Sequence, residues 1–390
     1  MKKAKSKKAK QKQLKKSFFW LLLLAFSLFL CGCGNRNTTP AEPAQTPQEE
    51  QGSLIVNNAV LEQFKENGQP VWKFTASKAR YRKNQEIAEV ESPEGELYQD
   101  GKLVFRIQAK EGEVQQDGKK IFLKKEIIAI DIQSGAVLRG DELEWTPDQD
   151  LLIVRKNLNG THKQLDAFAK EGRMYSRKRQ MELIGEVLAI TKEEPILQLR
   201  TERVLWEIDK ELVIAPQSLL IDRYEAQKIS DKAESKQGEV NLKTKIVTLK
   251  ENATVTLLDP TLQITSNAIS WNLDAEMVTS SEPVKINQVE DKIIFTGNSG
   301  KVDIKQEICY LTGNVQGFDT VKQSQLRADE LMWLLKTENI EAEGNVIYRQ
   351  VDPEFTVSGP KATGSLKDQT VTVTGGGGPV VTEIVPQQQR

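Results

Sequence analysis

Few side chains in this 390-residue sequence are equipped for bond-making chemistry. There is one histidine, His162, and three cysteines, Cys31, Cys33 and Cys309. A single imidazole disfavours His-dependent catalysis and most transition-metal sites, and the cysteines have no zinc spacing. Gly-x-Ser-x-Gly is absent. Gly297-Asn298-Ser299-Gly300-Lys301 is glycine-rich but lacks phosphate-loop spacing. Carboxylates abound, at Glu142, Glu144, Asp148 and Asp150 for example. Their alternation with apolar residues assigns them to wet strand faces and turns, and no pair stands out as an acid and its nucleophile. No catalytic residue, metal site or cofactor is expected.

Cys33 is the exception. Residues 2–16 are basic, residues 18–30 are almost wholly apolar, and small and polar residues follow. That is the order of an export signal. Leu30-Cys31-Gly32-Cys33 resembles a lipoprotein signal box, with Leu at −3, a small residue at −1, and Cys33 to take the lipid. The alternative is an uncleaved anchor helix over residues 18–34, although the run falls short of the roughly 20 apolar residues that span a bilayer. The lipoprotein reading is preferred; both place the body outside the cytoplasm. The first 33 residues hold nine lysines and no acidic residue, which leaves 45 basic against 55 acidic residues in the remainder. So acidic a body does not suit nucleic acid. Residues 34–52, with Pro40, Pro43 and Pro47, read as a tether.

From residue 53 onward the sequence alternates apolar and polar positions, the period of strands with one dry face. Trp72, Phe74 and Ala76 alternate in this way, as do Leu103, Phe105, Ile107 and Ala109, and Ile128, Ile130 and Ile132. Above this lies a beat of about 62 residues. Trp145, Trp206, Trp271 and Trp333 mark it, each two positions after an aliphatic residue: Leu143, Val204, Ile269 and Leu331. A second mark is Gly112, Gly172, Gly238, Gly300 and Ala362, each nine residues before a strand that opens at Ile121, Met181, Val247, Cys309 or Val371. Cys309 thus fills a slot held elsewhere by aliphatic residues, and reads as a small buried hydrophobe. Residues two apart share a strand face, so each aliphatic–tryptophan pair points inward. Stacked units would form a continuous apolar lining between two facing sheets or one folded sheet. Periodicity leaves two states of that lining open: a filled core, or a groove able to hold a lipid chain. Residues 54–64 and 370–385 are the candidate edge strands, open to pairing with another protein.

The order of the motifs resembles the LptC family and its OstA-like relatives. Leu183-Ile184-Gly185-Glu186-Val187 and Leu311-Thr312-Gly313-Asn314-Val315 carry the first half of the pattern, and Leu199-Arg200-Thr201-Glu202-Arg203-Val204-Leu205-Trp206 the second. Gly68 to Trp72, leading into a strand with Ala76 and Ala79, resembles the opening of such proteins. The resemblance implies an all-β fold: an elongated, twisted open β-jelly roll built from tandem OstA-like repeats of antiparallel strands. It implies a non-enzymatic component of lipopolysaccharide transport, held at the periplasmic face of the cytoplasmic membrane. Acyl chains of lipopolysaccharide would lie on the inner face, with Trp72, Phe74, Phe105, Ile107, Leu143, Trp145, Val204, Trp206, Ile269, Trp271, Leu331 and Trp333 as candidate lining. The expected partners are an inner-membrane ABC transporter at the N-terminal edge and an LptA-like or OstA-like periplasmic protein at the C-terminal edge. The body is about twice the family's usual length, dividing into lobes at 53–222 and 223–386 that continue one into the other. Doubling raises the further possibility that one chain serves as both anchor and bridge. The competing reading is a structural or adhesive β-repeat lipoprotein with a filled core.

Overall fold

The computed structural model describes residues 53–82, 86–115, 118–290, 292–352, 354–368, 370–375 and 380–384. The signal segment with Cys31 and Cys33, the tether, Gln116 and Asp117, and glycines 376–378 lie outside them. The described residues form one sheet of 28 strands, antiparallel throughout, with no α-helix. The elongated jelly roll of antiparallel repeats expected from the sequence is what forms.

A sheet this long must bury one face, and it does so by folding lengthwise. The fold line is written in the backbone. Six long strands each carry two consecutive residues with positive φ, as at Lys125/Glu126 in Ile121–Asp131, Glu251/Asn252 in Ile246–Leu258 and Gly313/Asn314 in Ile308–Asp319. The ladder slips at each of these points, as at a bulge that turns a strand through a corner. The Leu-x-Gly-x-Val motif is this corner: Gly185 and Gly313 adopt φ of 82° and 78°, where a Cβ is costly. At three other crossings the strand is broken beside a proline, between Ile87–Glu91 and Glu94–Gln99, Leu212–Ala215 and Leu219–Glu225, and Met277–Ser280 and Val284–Gln288. Proline supplies no N–H to a ladder, so it suits such a break.

The fold line divides the sheet into two facing leaves. Fourteen strands cross it and seven more lie in each leaf, so each leaf is 21 strands wide. At ~4.8 Å per strand that is on the order of 95 Å of continuous leaf. Hydrogen-bonded pairing runs without a gap through Leu219–Glu225, the strand that contains residues 222 and 223.

Near the fold line the leaves converge, and the repeated small residue serves that convergence. A Cβ on Gly300 would meet Val284 Cγ1 of the facing leaf at 2.7 Å and Leu311 Cδ2 of the adjoining strand at 2.9 Å; one on Gly112 would meet Leu123 Cδ2 of its own leaf at 2.6 Å. In the last copy the residue is Ala362.

Candidate functional site

The inner faces of the leaves form one apolar surface. All twelve candidate lining residues lie on it and are buried. Register explains the beat of about 62 residues. On one leaf, here the tryptophan leaf, directly paired residues run straight across the strands. The row passes through Ile121, Trp145, Leu152 and Met174; then Met181, Trp206, Val213 and Val240; then Val247, Trp271, Val278 and Val302; then Cys309, Trp333, Ile340 and Gly364. Tryptophan returns every fourth strand. Trp72, Phe74, Phe105 and Ile107 belong instead to the facing leaf, since they pair with strands on the other side of the fold line.

Aromatic contacts bridge the leaves. Phe105 meets Trp145 edge-on at 6.1 Å between centroids, His162 meets Trp206 at 4.9 Å, and Phe295 meets Trp333 at 5.2 Å. Trp72, Trp145, Trp206, Trp271 and Trp333 are 0–4% exposed. Their indole N–H groups find no acceptor among the described residues, so this lining is apolar on every side. The leaves therefore touch along the tryptophan row, with aromatic volume between them. Cys309, fully buried in this row, behaves as its slot predicts; burial pushes its thiol far above the ordinary range.

The packing loosens at the C-terminal end. There a cleft of about 530 Å³ opens between the leaves, lined by Phe295, Leu326 and Tyr348 from the facing leaf and Ile340, Ala362 and Gly364 from the tryptophan leaf. The cause lies in the row. The slot filled by Met174, Val240 and Val302 is empty at Gly364, and Val371, which follows it, is 42% exposed. Val371 thus departs from the burial its slot predicts, because no described tryptophan strand follows it. The repeat carried this signal, in Ala362 and Gly364 where earlier copies differ, but a change of one side chain in a repeat does not announce a cleft.

The outer faces are polar and ion-paired. Glu144 accepts from Lys120 at 3.2 Å and Arg155 at 3.1 Å; Arg155 continues to Glu171 at 2.8 Å, and Arg203 pairs with buried Glu182. Burial alone would raise the Glu144 carboxyl, but its bonds to Arg155 and Lys120 outweigh that and hold it below the usual carboxylate range; Glu171 is held down in the same way by Arg155 and Arg173. Carboxylates saturated like this are poor general acids. Asp231, on the inward side of its strand with Ala233, is pushed upward by burial, yet Ser230 at 2.9 Å and Arg223 at 3.1 Å already engage it. Among the described residues no group of three or more His, Cys, Asp or Glu side chains could hold a metal ion.

The family model described as lipopolysaccharide-assembly, LptC-related, matches residues 20–152 and 217–317, together more than half of the chain. No curated protein matches it. The matched segments carry the corner motif at Gly313 and the tryptophan strands of Trp145 and Trp271 that build the folded leaves. This chain belongs to the LptC-related family of lipopolysaccharide-assembly proteins.

Proposed function

We propose that the chain is a non-catalytic carrier in the lipopolysaccharide-transport bridge, holding acyl chains of the lipid between its two leaves. The supporting observation is the interleaf cleft at the C-terminal end, continuous with the apolar inner faces. At about 530 Å³ it falls in the range of sites that enclose small apolar ligands, roughly 300–1,000 Å³. In this reading Cys33, lipidated, or the apolar run as a helix, holds the body at the periplasmic face of the inner membrane. The edge strand Ser53–Phe64 docks the chain on an ABC transporter that supplies the lipid, and the C-terminal edge passes it to an LptA-like or OstA-like protein. Among the described residues Ser53–Phe64 is paired on one side only, and it exposes Leu54, Ile55 and Val60, as a strand awaiting a partner would. The lobes 53–222 and 223–386 then act as one carrier.

A second reading, a filled structural core, draws support from the buried tryptophans and the aromatic contacts between leaves. Photo-crosslinking in cells separates the two. A photoreactive residue at Leu326, in the cleft, is expected to trap lipopolysaccharide, whereas one at Met332, between two inward residues of its strand, is not. Equal trapping at both positions, or none at Leu326, would remove the carrier reading.

A further inference from the structure

The two leaves meet at the fold line and are free at the opposite long margin, where their turns form two rims. Along the tryptophan leaf each turn donates a backbone hydrogen bond to the turn before it, from Ser176 N to Asp150 O (3.1 Å) through Leu273 N to Lys245 O (3.0 Å) to Leu366 N to Glu338 O (2.9 Å). That rim is thus stitched along itself, and the facing rim is stitched at Ile132 N to Val104 O, Lys192 N to Gln164 O and Thr320 N to Lys292 O. The rims are joined to one another over only part of their length.

Four such bonds between described residues cross from one rim to the other. Arg177 Nη1 reaches Asp100 Oδ2 at 2.8 Å, and Arg179 Nη1 reaches Asp131 Oδ2 at 2.9 Å. Lys245 Nζ donates to the Glu194 carbonyl at 2.8 Å, and Arg223 Nη2 to Glu276 Oε1 at 3.1 Å. They differ in weight. Arg177 and Asp100 are both more than half exposed, where an ion pair contributes little. Arg223 and Asp131 are nearly buried and their partners partly so, which strengthens the pair and makes its loss felt. Past Glu276 the pattern stops. Arg349–Glu354 and Lys322–Asp319 stay within the facing leaf, and Ser365–Asp368 within the tryptophan leaf. Among the described residues no hydrogen bond or ion pair joins the rims beyond that point. The interleaf cleft lies in this unlaced stretch.

The four bonds share an offset. Each joins a turn of the tryptophan leaf to a turn some three to five strands nearer the N-terminus on the facing leaf. Twist has therefore sheared the leaves past each other. At that offset only the facing-leaf turn at residues 350–355 has no tryptophan-leaf turn opposite among the described residues; the turns at 258–261, 288–293 and 319–324 face those at 303–308, 334–339 and 365–370 and form no such bond among the described residues.

We infer that the folded sheet opens sideways, by parting of its unlaced rims over residues 284–384, and that this is a lateral entrance for the acyl chains of an amphipathic lipid, while the laced rims upstream stay shut. The identity of the cargo rests on the carrier reading above; the sideways opening does not. Entry at the side lets a long chain lie down into the cleft without threading past Trp145, Trp206 and Trp271, which block the route from the N-terminal end.

The repeat supplies a matched test. Ala342 and Ala215 occupy the same slot two units apart, each 1% exposed, one beside the cleft and the other under laced rims. In the full chain, A342C and A215C are each treated with a water-soluble maleimide, and labelling is read at the peptide level by mass spectrometry. The thiol introduced by A342C is expected to label at least tenfold faster than the one introduced by A215C. Adding K245Q and E276Q to A215C removes two laces, leaves Arg223 its bonds to Asp231 and Glu225, and is expected to raise the labelling rate at position 215 several-fold with an unchanged circular dichroism spectrum. Should A215C not fold, V154C occupies the equivalent slot further upstream. Equal rates in the two variants, or a rate in A215C indifferent to loss of the laces, overturns the inference. Purified lipopolysaccharide added to A342C is expected to slow its labelling. If the rates differ as stated but the lipid protects nothing, the carrier reading falls and the lateral opening stands.

Discussion

Trp271→Ala asks how full the core is. The indole is completely buried and lies between Val247 and Val278 of the adjoining strands. Its removal takes away about 140 Å³, and at ~24 cal/mol per Å³ of unrelaxed cavity the vacancy alone costs about 3 kcal/mol. Lost transfer energy and partial collapse bring the expected total to about 3–5 kcal/mol, the usual range for a buried aromatic cut to alanine. If the indole instead bordered an open lumen, no cavity would form and the cost would be about 1–2 kcal/mol. Stability in a stack of repeats is shared chiefly with nearest neighbours, so one global midpoint would blur the effect. Hydrogen exchange read by mass spectrometry resolves it. Amides of Ile246–Leu258 and Thr261–Asn272 should lose protection by a hundredfold to a few-thousandfold, taking ~1.4 kcal/mol per tenfold, while Ser53–Phe64 is unchanged. A loss of less than tenfold would refute the close contact of the leaves at this position.

Two further outcomes follow from the same geometry. Gly300→Val forces a side chain into the space already held by Val284 and Leu311, and should cost about 1–3 kcal/mol, seen as a lowered urea midpoint; an unchanged midpoint would mean that the leaves do not converge there. His162, buried against Trp206, has its pKa lowered, first by burial and then by Lys163 and Lys192. The folded state therefore resists protonation, so the stability present above the unfolded value of 6.5 is lost as pH falls below it. The urea midpoint should fall between about pH 6.5 and 5 in the natural chain, and His162→Gln should flatten that slope; equal slopes would show that the imidazole is free to charge.

In the sequence Ile128, Ile130 and Ile132 read as a dry face but lie on the outer side of their strand, Ile130 and Ile132 being 36% and 40% exposed, while Ile127 and Ala129 are buried. The inward side of most strands, the strand period, the repeat of about 62 residues and the aliphatic nature of the Cys309 slot were all legible in the chain of residues. These are local properties. Side chains alternate because the strand pleat does, and a slot that repeats in the chain repeats in the sheet. The Leu-x-Gly-x-Val motif was legible as a signature, but its meaning as a corner appeared only where Gly185 and Gly313 take positive φ and the ladder slips. The leaf assignment of Trp72 and Phe74, which share the aromatic character of the tryptophan row but not its side of the fold, was not readable either. It depends on which half of a bent strand a residue occupies. Where the leaves touch, where they part and which charges lace the rims are properties of the assembled sheet. Arg223 and Glu276 are 53 residues apart in sequence, and their meeting follows from the accumulated twist of many strands. Twist adds up along the whole sheet, so no single stretch of sequence records the shear between the leaves.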